Sequence, residues 1–188
     1  MRRIILAALL GGLAVFIWGA ISHMVLPLGE MGMQTIPRNE EQVLDALRSA
    51  ISSPGLYFFP GMDMHKSLTP EEQKAWTEKY KSGPAGIMVI APAGEEPTGP
   101  GQLIGEVVSD IIAGLLGALI LSAIAASFWK RTFFMASLGI FAWLSISVSY
   151  WIWYRFPAPY IFAELIEHLV GWFLGGMAIA GVLKRPAR

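Results

Sequence analysis

Acids and histidines occur where this sequence is otherwise apolar. Six of them lie within or at the ends of three long apolar stretches: His23 in the first, Glu106 and Asp110 in the second, and Glu164, Glu167 and His168 in the last. Ionisable groups at membrane depth are costly, so they usually face the interior of a helix bundle and mark a functional site. The pattern therefore predicts a carboxylate–histidine site.

Metal binding is the first chemistry that this set suggests, because many metal centres take carboxylates and imidazoles from several helices of a bundle. Glu164 and His168 are one helical turn apart, so both could reach one ion. Mixed nitrogen and oxygen ligands suit zinc, iron or manganese. The Glu-x-x-His motif of di-iron bundles is missing, since Leu165 stands three residues before His168.

A softer set of donors lies outside the apolar stretches: Met31, Met33, Met62, Met64 and His65. Thioether ligands select Cu(I). The closely spaced methionines resemble the methionine motifs of periplasmic copper-handling proteins, and the resemblance covers only these few residues. It implies a copper contact, whereas packing is the favoured explanation in a chain with 9 methionines.

Proton movement is the second chemistry, because acid–histidine chains serve as proton relays. The other half of the spans has few polar residues, which argues for a half-channel rather than a continuous pathway. Haem ligation by His23 and His168 is disfavoured, since their depths differ and carboxylates lie nearby. The sequence contains no cysteine, G-x-S-x-G, H-E-x-x-H or phosphate loop, and so favours a protein that is not an enzyme.

The composition is that of a membrane protein. The mean hydropathy is +0.52, and 15% of the 188 residues are charged, against roughly 25% in soluble domains. The formal net charge is +0, which gives no reason to expect nucleic-acid binding. Because a spanning helix needs about 20 apolar residues, we predict spans at 1–28, 103–129, 133–153 and 159–183.

The first span is predicted to be an uncleaved anchor, because its apolar core is long and Trp18 fits a signal cleavage site poorly. Basic residues lie at three of the span ends: Arg2, Arg3, Lys130, Arg131, Lys184, Arg185 and Arg188. In a four-span protein these ends share one side, which the positive-inside rule makes cytoplasmic. Both termini and the tail 184–188 are then inside, and residues 29–102 face the periplasm of a bacterial inner membrane.

The segment 29–102 is patterned as a small α/β domain that ends in a Pro/Gly-rich linker at 91–101. Asn39 with Gln42 predicts a capped helix start, and Thr69 with Glu72 predicts a second one. Short strands are predicted at 56–59 and 86–90, and the helix between them would allow parallel pairing. We expect this domain to dock on the spans.

Small residues mark the faces on which the spans should pack. Such residues recur every three or four positions: Gly114, Ala118, Ser122 and Ala126 in the second span, and Gly171, Gly175 and Ala178 in the fourth. Extended outward, these two faces reach Asp110 and Glu167. The predicted fold is a four-helix transmembrane bundle with an α/β domain between the first two helices.

The leading hypothesis is an integral membrane protein with a carboxylate–histidine site near the outer membrane face. That site would bind a metal ion (zinc, iron, manganese or copper) or handle protons. The alternative is a non-catalytic accessory or assembly subunit, held in a larger membrane complex by its outer domain. The lipid bilayer is the partner that the composition implies directly.

Overall fold

The computed structural model describes residues 1–63, 65–94 and 96–183. Its helices and strands are, in chain order, α1 (Arg2–Met24), α2 (Glu40–Ala50), β1 (Gly55–Phe59), α3 (Pro70–Ser82), β2 (Gly86–Ile90), α4 (Pro100–Ala123), α5 (Phe128–Ser145), α6 (Ser147–Tyr154) and α7 (Ala158–Val182). The chain divides into two compact units. The helical unit contains residues 1–33 and the chain from Pro97 onward, and the sheet unit contains Gln34–Glu96.

Four segments of the helical unit are long and apolar enough to cross a membrane, which confirms the predicted number of spans. They are Arg2–Met24, Pro100–Ala123, Phe128–Tyr154 and Ala158–Val182. By helix length and composition the chain is therefore a multi-pass membrane protein. The third span consists of α5 and α6, which are separated at Ile146, where φ is −114° and ψ is −67°.

The second span ends at Ala123 rather than at residue 129. The Lys130 backbone N–H donates to the Ser127 hydroxyl at 3.4 Å, so Ser127 caps a new helix that begins at Phe128. The predicted bound was wrong because the residues on both sides of the break are apolar, and hydropathy cannot detect such a cap. The Lys130–Arg131 pair consequently lies in the first turn of α5 and not in a loop.

Arg131 is buried, with 8% of its surface exposed. Its guanidinium donates to the carbonyl oxygen of Leu183, which follows α7, and at 3.1 Å to that of Ile124, which follows α4. Carbonyl groups at a helix C-terminus lack partners within the helix and carry partial negative charge. One cation at the start of α5 thus binds the ends of two other helices, and we call this arrangement the Arg131 clamp.

Glycine contacts show that α1 and α4 pack antiparallel with their backbones touching. A Cβ on Gly12 would lie 2.6 Å from the backbone of Ile111, and one on Gly114 would lie 2.7 Å from the carbonyl oxygen of Ala8. Only glycine allows helices to approach so closely. The small-residue prediction is thereby confirmed at Gly114, whereas Ser122 is exposed.

Helix α7 packs antiparallel to both α1 and α5. On one side, a Cβ on Gly175 would lie 2.9 Å from the Val15 side chain of α1. On the other side, a Cβ on Gly176 would lie 2.7 Å from the Met135 side chain, and Gly139 of α5 faces the carbonyl group of His168. Since α7 separates α1 from α5, its polar residues must divide between two interfaces.

The hydrophobic core lies toward one end of the helical unit, where α1 and α5 begin and α4 and α7 end. It comprises Ala7, Ala118, Leu121, Met135, Ile179 and Leu183. We call this the packed end, and the Arg131 clamp belongs to it. The opposite end, where α1 ends and α7 begins, is called the open end.

In the sheet unit, β1 and β2 pair antiparallel, with Phe58 opposite Ile87, so the prediction of parallel pairing is wrong. The Phe58 ring stacks on Trp76 and Tyr80 with centroids 6.4 and 6.1 Å apart. The Trp76 indole donates to the Pro60 carbonyl at 3.1 Å. These contacts hold the end of α3 beside the end of β1. Strand β2 therefore begins next to the end of β1 and runs along it in the opposite direction.

The two predicted helix starts of the sheet unit lie where expected, but only one has the predicted cap. The Glu72 N–H donates to the Thr69 hydroxyl, and the Thr69 N–H donates to the Glu72 carboxylate, which completes a capping box. Asn39 makes no capping hydrogen bond with its side chain. Its backbone is left-handed (φ 55°), whereas a capping side chain needs extended backbone at this position.

The Glu72 cap should depend on pH. The Lys66 ammonium and then the Thr69 backbone N–H bond the ionised carboxylate and hold the pKa of Glu72 below its ordinary value of 4.5. A lowered folded-state pKa means that the stabilisation is complete above pH 4.5 and is lost as the pH falls through the lower folded value. We expect the Thr69 amide NMR signal to move over that interval in the wild type and in Glu71→Gln, but not in Glu72→Gln. Equal titration in both variants would contradict the capping role.

Candidate functional site

The three ionisable residues of α7 lie on two of its faces. Residues four apart share a helix face, so Glu167 lies on the face of Gly171, where Trp18 of α1 packs. Glu164 shares its face with His168, whose carbonyl group meets Gly139 of α5. The three side chains are therefore divided between the α1 interface and the interface with α5 and α6.

The first pair joins α1 to α7. His23 Nδ1 lies 3.6 Å from Glu167 Oε1, and the two side chains are 58% and 15% exposed. The same nitrogen lies 3.0 Å from the Gly19 carbonyl oxygen and 3.1 Å from the Ser22 hydroxyl. The imidazole thus connects the surroundings of the protein to a carboxyl group that is mostly buried between two spans.

Two polar atoms at this interface are buried without a hydrogen bond in the described part of the chain. They are Glu167 Oε1 and the indole nitrogen Nε1 of Trp18. Trp18 lies against α7 because Gly171 has no side chain: a Cβ there would lie 3.2 Å from Trp18 Cδ1. Buried polar atoms are nearly always hydrogen-bonded in folded proteins. The lack of a hydrogen-bond partner for these two atoms therefore requires an explanation.

The second pair faces α5 and α6. His168 Nδ1 lies 2.7 Å from the backbone carbonyl oxygen of Glu164 and 4.0 Å from its carboxylate. The Ser147 hydroxyl donates to the same carboxylate at 3.4 Å. The carboxylate therefore lies between the serine and the histidine, whereas a hydrolytic triad needs the histidine in the middle. These contacts favour a structural or proton-holding role over hydrolysis.

Both histidines hold their rings in the same way. In each, Nδ1 meets the carbonyl oxygen of the residue four positions earlier, Gly19 for His23 and Glu164 for His168. A carbonyl oxygen can only accept, so in the neutral ring Nδ1 carries the hydrogen and Nε2 is the free acceptor. The His23 ring also packs on Gly29, where a Cβ would lie 3.1 Å from Nε2.

The two acids of α4 do not join either pair. The Asp110 backbone lies against Gly12, near the middle of α1, because a Cβ on Gly12 would be 2.7 Å from the Asp110 carbonyl carbon. His23 is in the last turn of α1, roughly 16 Å further along at 1.5 Å per residue. Glu106 is exposed. Helical spacing predicted the face of Asp110 but not its depth relative to Glu167.

The structure does not bring the six predicted ligands together. Among residues 1–63, 65–94 and 96–183, no group of three or more histidine, aspartate or glutamate side chains could hold a metal ion. The reason is geometric. Glu167 lies on a different face of α7 from Glu164 and His168, and Asp110 of α4 lies at a different depth from all three. Of the proposed copper contacts, Met31 and Met33 are in the helical unit and Met62 and His65 in the sheet unit, while Met64 is outside the described residues.

Sequence reasoning missed three side chains of the site. Trp18 and Ser22 resemble ordinary residues of an apolar helix, and only packing gives them a role. Ser147 was missed because the break at Ile146 turns α6 relative to α5. The alternation of serine with isoleucine and valine at 145–149 was a usable signal, because these residues are weaker helix formers than alanine or leucine.

The distinctive feature of the site is thus a half-exposed histidine beside a buried carboxylate oxygen. Neither a catalytic triad nor a closed ligand shell surrounds it in the described residues. The chain matches no protein-family model, no curated protein and no solved structure.

Proposed function

We propose that this integral membrane protein binds and releases protons through the His23–Glu167 pair at the outer end of its spans. The observation that carries the proposal is the Glu167 Oε1 atom, which is buried without a hydrogen bond in the described chain. A histidine nitrogen lies 3.6 Å from that oxygen. A proton shared between the two atoms would give the oxygen its missing donor.

The relay follows from the tautomer of His23. A proton from the outer solution adds to Nε2, which is the free acceptor of the neutral ring. The Nδ1 proton then passes to Glu167 Oε1, leaving a neutral imidazole with its hydrogen on Nε2 and a neutral carboxyl group. One proton is gained in total. The transfer requires the 3.6 Å gap to close by about half an ångström, to an ordinary hydrogen-bond length.

A proton fits this pair better than a resident metal ion does. A proton needs one donor and one acceptor, whereas protein zinc sites take at least three protein ligands. The pair is also open to one side only, because the apolar core of the packed end, with Leu121, Met135 and Ile179, lies toward the other end of the spans. This favours a one-sided proton-binding or proton-sensing site over a channel.

Infrared difference spectroscopy tests the proposal on the purified protein in detergent. Lowering the pH should produce the carbonyl-stretch band of a protonated carboxyl group in the wild type, and Glu167→Gln should remove it. Removing the relay in His23→Phe should slow the appearance of this band by at least about tenfold, since a positioned acid–base group contributes about 10²–10⁴-fold. The exposed Glu30→Gln is the matched control and should leave the Glu167 band and its rate unchanged.

Two results would overturn the proposal. One is a wild-type spectrum with no carboxyl band that Glu167→Gln removes. The other is stoichiometric metal in the wild type, measured on the same samples by elemental analysis and lost in Glu167→Gln, because this would assign the pair to a metal site.

A further inference from the structure

Asp110, an acid in the middle of the second span, lies where α1 and α4 are in backbone contact. The two backbones touch at Gly12, next to Asp110. Gly19 is two turns further along α1 and lies on the same face as Gly12. A Cβ on Gly19 would nevertheless meet no atom within 4 Å. The interface between α1 and α4 is therefore open beside Gly19, toward the open end.

Asp110 lies on the face of α4 that packs on α1, at the edge of this opening. Gly114, Gly117 and Leu121 follow it at intervals of four, three and four residues, and all three are buried. Residues at these intervals share one face of a helix. Asp110 continues the buried face of α4 toward the open end, and it is partly exposed.

Asp110 also lacks a partner within the described part of the chain. No hydrogen bond or ion pair of its carboxyl group occurs among these residues, and the charged side chain that acts on it is Glu106, which has the same sign. The basic groups of the spans lie elsewhere: Arg131 binds carbonyl groups at the packed end, where Arg2, Arg3 and Lys130 also lie. The two histidines lie beside Glu167 and Glu164.

We propose that the N-terminal half of α4 docks a transmembrane helix of a partner protein, and that this helix presents a lysine or arginine to Asp110. A carboxyl group at this depth is costly unless it is paired, so intramembrane acids ordinarily pair with another side chain or with backbone groups. Charge complementarity assigns the cation to another protein. A second copy of this chain would present the same acid, and the arginines and the lysine of its spans lie in the first turns of α1 and α5, at the packed end.

This inference is independent of the His23–Glu167 pair, which lies on another helix interface. It makes the accessory-subunit hypothesis concrete, because it locates the contact on α4 rather than on the sheet unit. Such a contact would join the two proteins within the bilayer, where hydrogen bonds and ion pairs between helices compete with little water.

The test uses a probe of defined chemistry. A synthetic leucine–alanine transmembrane peptide with one central lysine is compared with the same peptide carrying leucine there. The full-length protein, labelled through Lys74→Cys in a chain without cysteine, is placed with each peptide in phosphatidylcholine vesicles. Energy transfer between the labels should show about tenfold tighter association of the lysine peptide. Asp110→Asn should abolish that preference, and Asp110→Glu and the control Glu30→Gln should keep it.

Three results would overturn the inference. The first is equal association of the two peptides with the wild type. The second is a lysine preference that survives Asp110→Asn. The third is energy transfer between two labelled copies of this chain that Asp110→Asn removes, because that would make a second copy the occupant. The comparison of the two peptides on the wild type keeps the test decisive if Asp110→Asn fails to fold, because equal association alone overturns the inference.

Discussion

Arg131→Gln should destabilise the helical unit by about 2–5 kcal/mol, whereas the same change at Lys130 should cost less than about 0.5 kcal/mol. The Arg131 guanidinium is buried and donates to the carbonyl oxygens of Leu183 and Ile124. Hydrogen bonds to a charged group contribute about 1.5–3 kcal/mol each. Glutamine is too short to reach both acceptors, so two helix ends would lose their partner.

Lys130 is a matched control for this prediction. It is the preceding residue, carries the same charge, and its side chain is exposed. Each variant removes one positive charge from the same end of the spans, so any effect on membrane orientation is equal in the two. Unfolding in mixed micelles with increasing denaturing detergent would measure the difference. Equal losses of stability would show that Arg131 acts only through its charge.

Arg131→Lys gives a second, graded comparison. Lysine keeps the charge but lacks the planar fork of the guanidinium, so it cannot serve two acceptors with the same geometry. Its stability should fall between those of the wild type and Arg131→Gln. The sequence indicated Arg131 as a marker of the cytoplasmic side, and its role as the clamp became visible only from the two carbonyl groups around it.

The spans were predictable because the signal is local. Twenty apolar residues form a spanning helix whatever they pack against, and the Thr69–Glu72 capping box depends on residues three apart. The end of the second span was not predictable from hydropathy. It depends on one hydroxyl, that of Ser127, which caps a helix inside an otherwise apolar run.

The candidate site was predictable in composition and only partly in geometry. Small residues identified the face of α7 that carries Glu167, and the structure places His23 beside it. The same reasoning extended the packing face of α4 to Asp110, but it did not give the depth of Asp110 relative to Glu167. Spacing along a helix determines which side chains share a face, whereas the depth at which two helices cross depends on their contacts. Here that depth is determined by Gly12 and Gly114.

Strand pairing was mispredicted for a related reason. A helix between two strands allows parallel pairing, but the ring contacts of Phe58 with Trp76 and Tyr80 determine where the helix ends. Those contacts place the end of α3 beside the end of β1, so β2 begins there and runs antiparallel to β1. The aromatic residues were visible in the sequence, and their mutual contact was not.

Gly139→Ala should cost about 1–3 kcal/mol of stability, the usual range for overpacking, although it adds a single methyl group. A Cβ at this position would overlap the carbonyl oxygen of His168 and lie 3.0 Å from its carbonyl carbon. Both are backbone atoms, so relief requires α5 and α7 to move apart. Gly181→Ala is the control, because a Cβ there meets no atom within 4 Å. It should be neutral or slightly stabilising, since alanine is the better helix former by about 1 kcal/mol.

Gly139→Ala should affect the two histidine–carboxylate pairs differently. Separation of α5 from α7 should also move α6, which follows α5 in the same span, and so weaken the contact of Ser147 of α6 with Glu164. It should leave the infrared band of Glu167 in place, because Glu167 faces α1 on the other side of α7. Equal stability of Gly139→Ala and Gly181→Ala would contradict the close approach of α5 to α7 at Gly139. If Gly139→Ala abolishes the Glu167 band, the two faces of α7 are coupled, and proton binding at the α1 interface depends on the packing of the whole bundle.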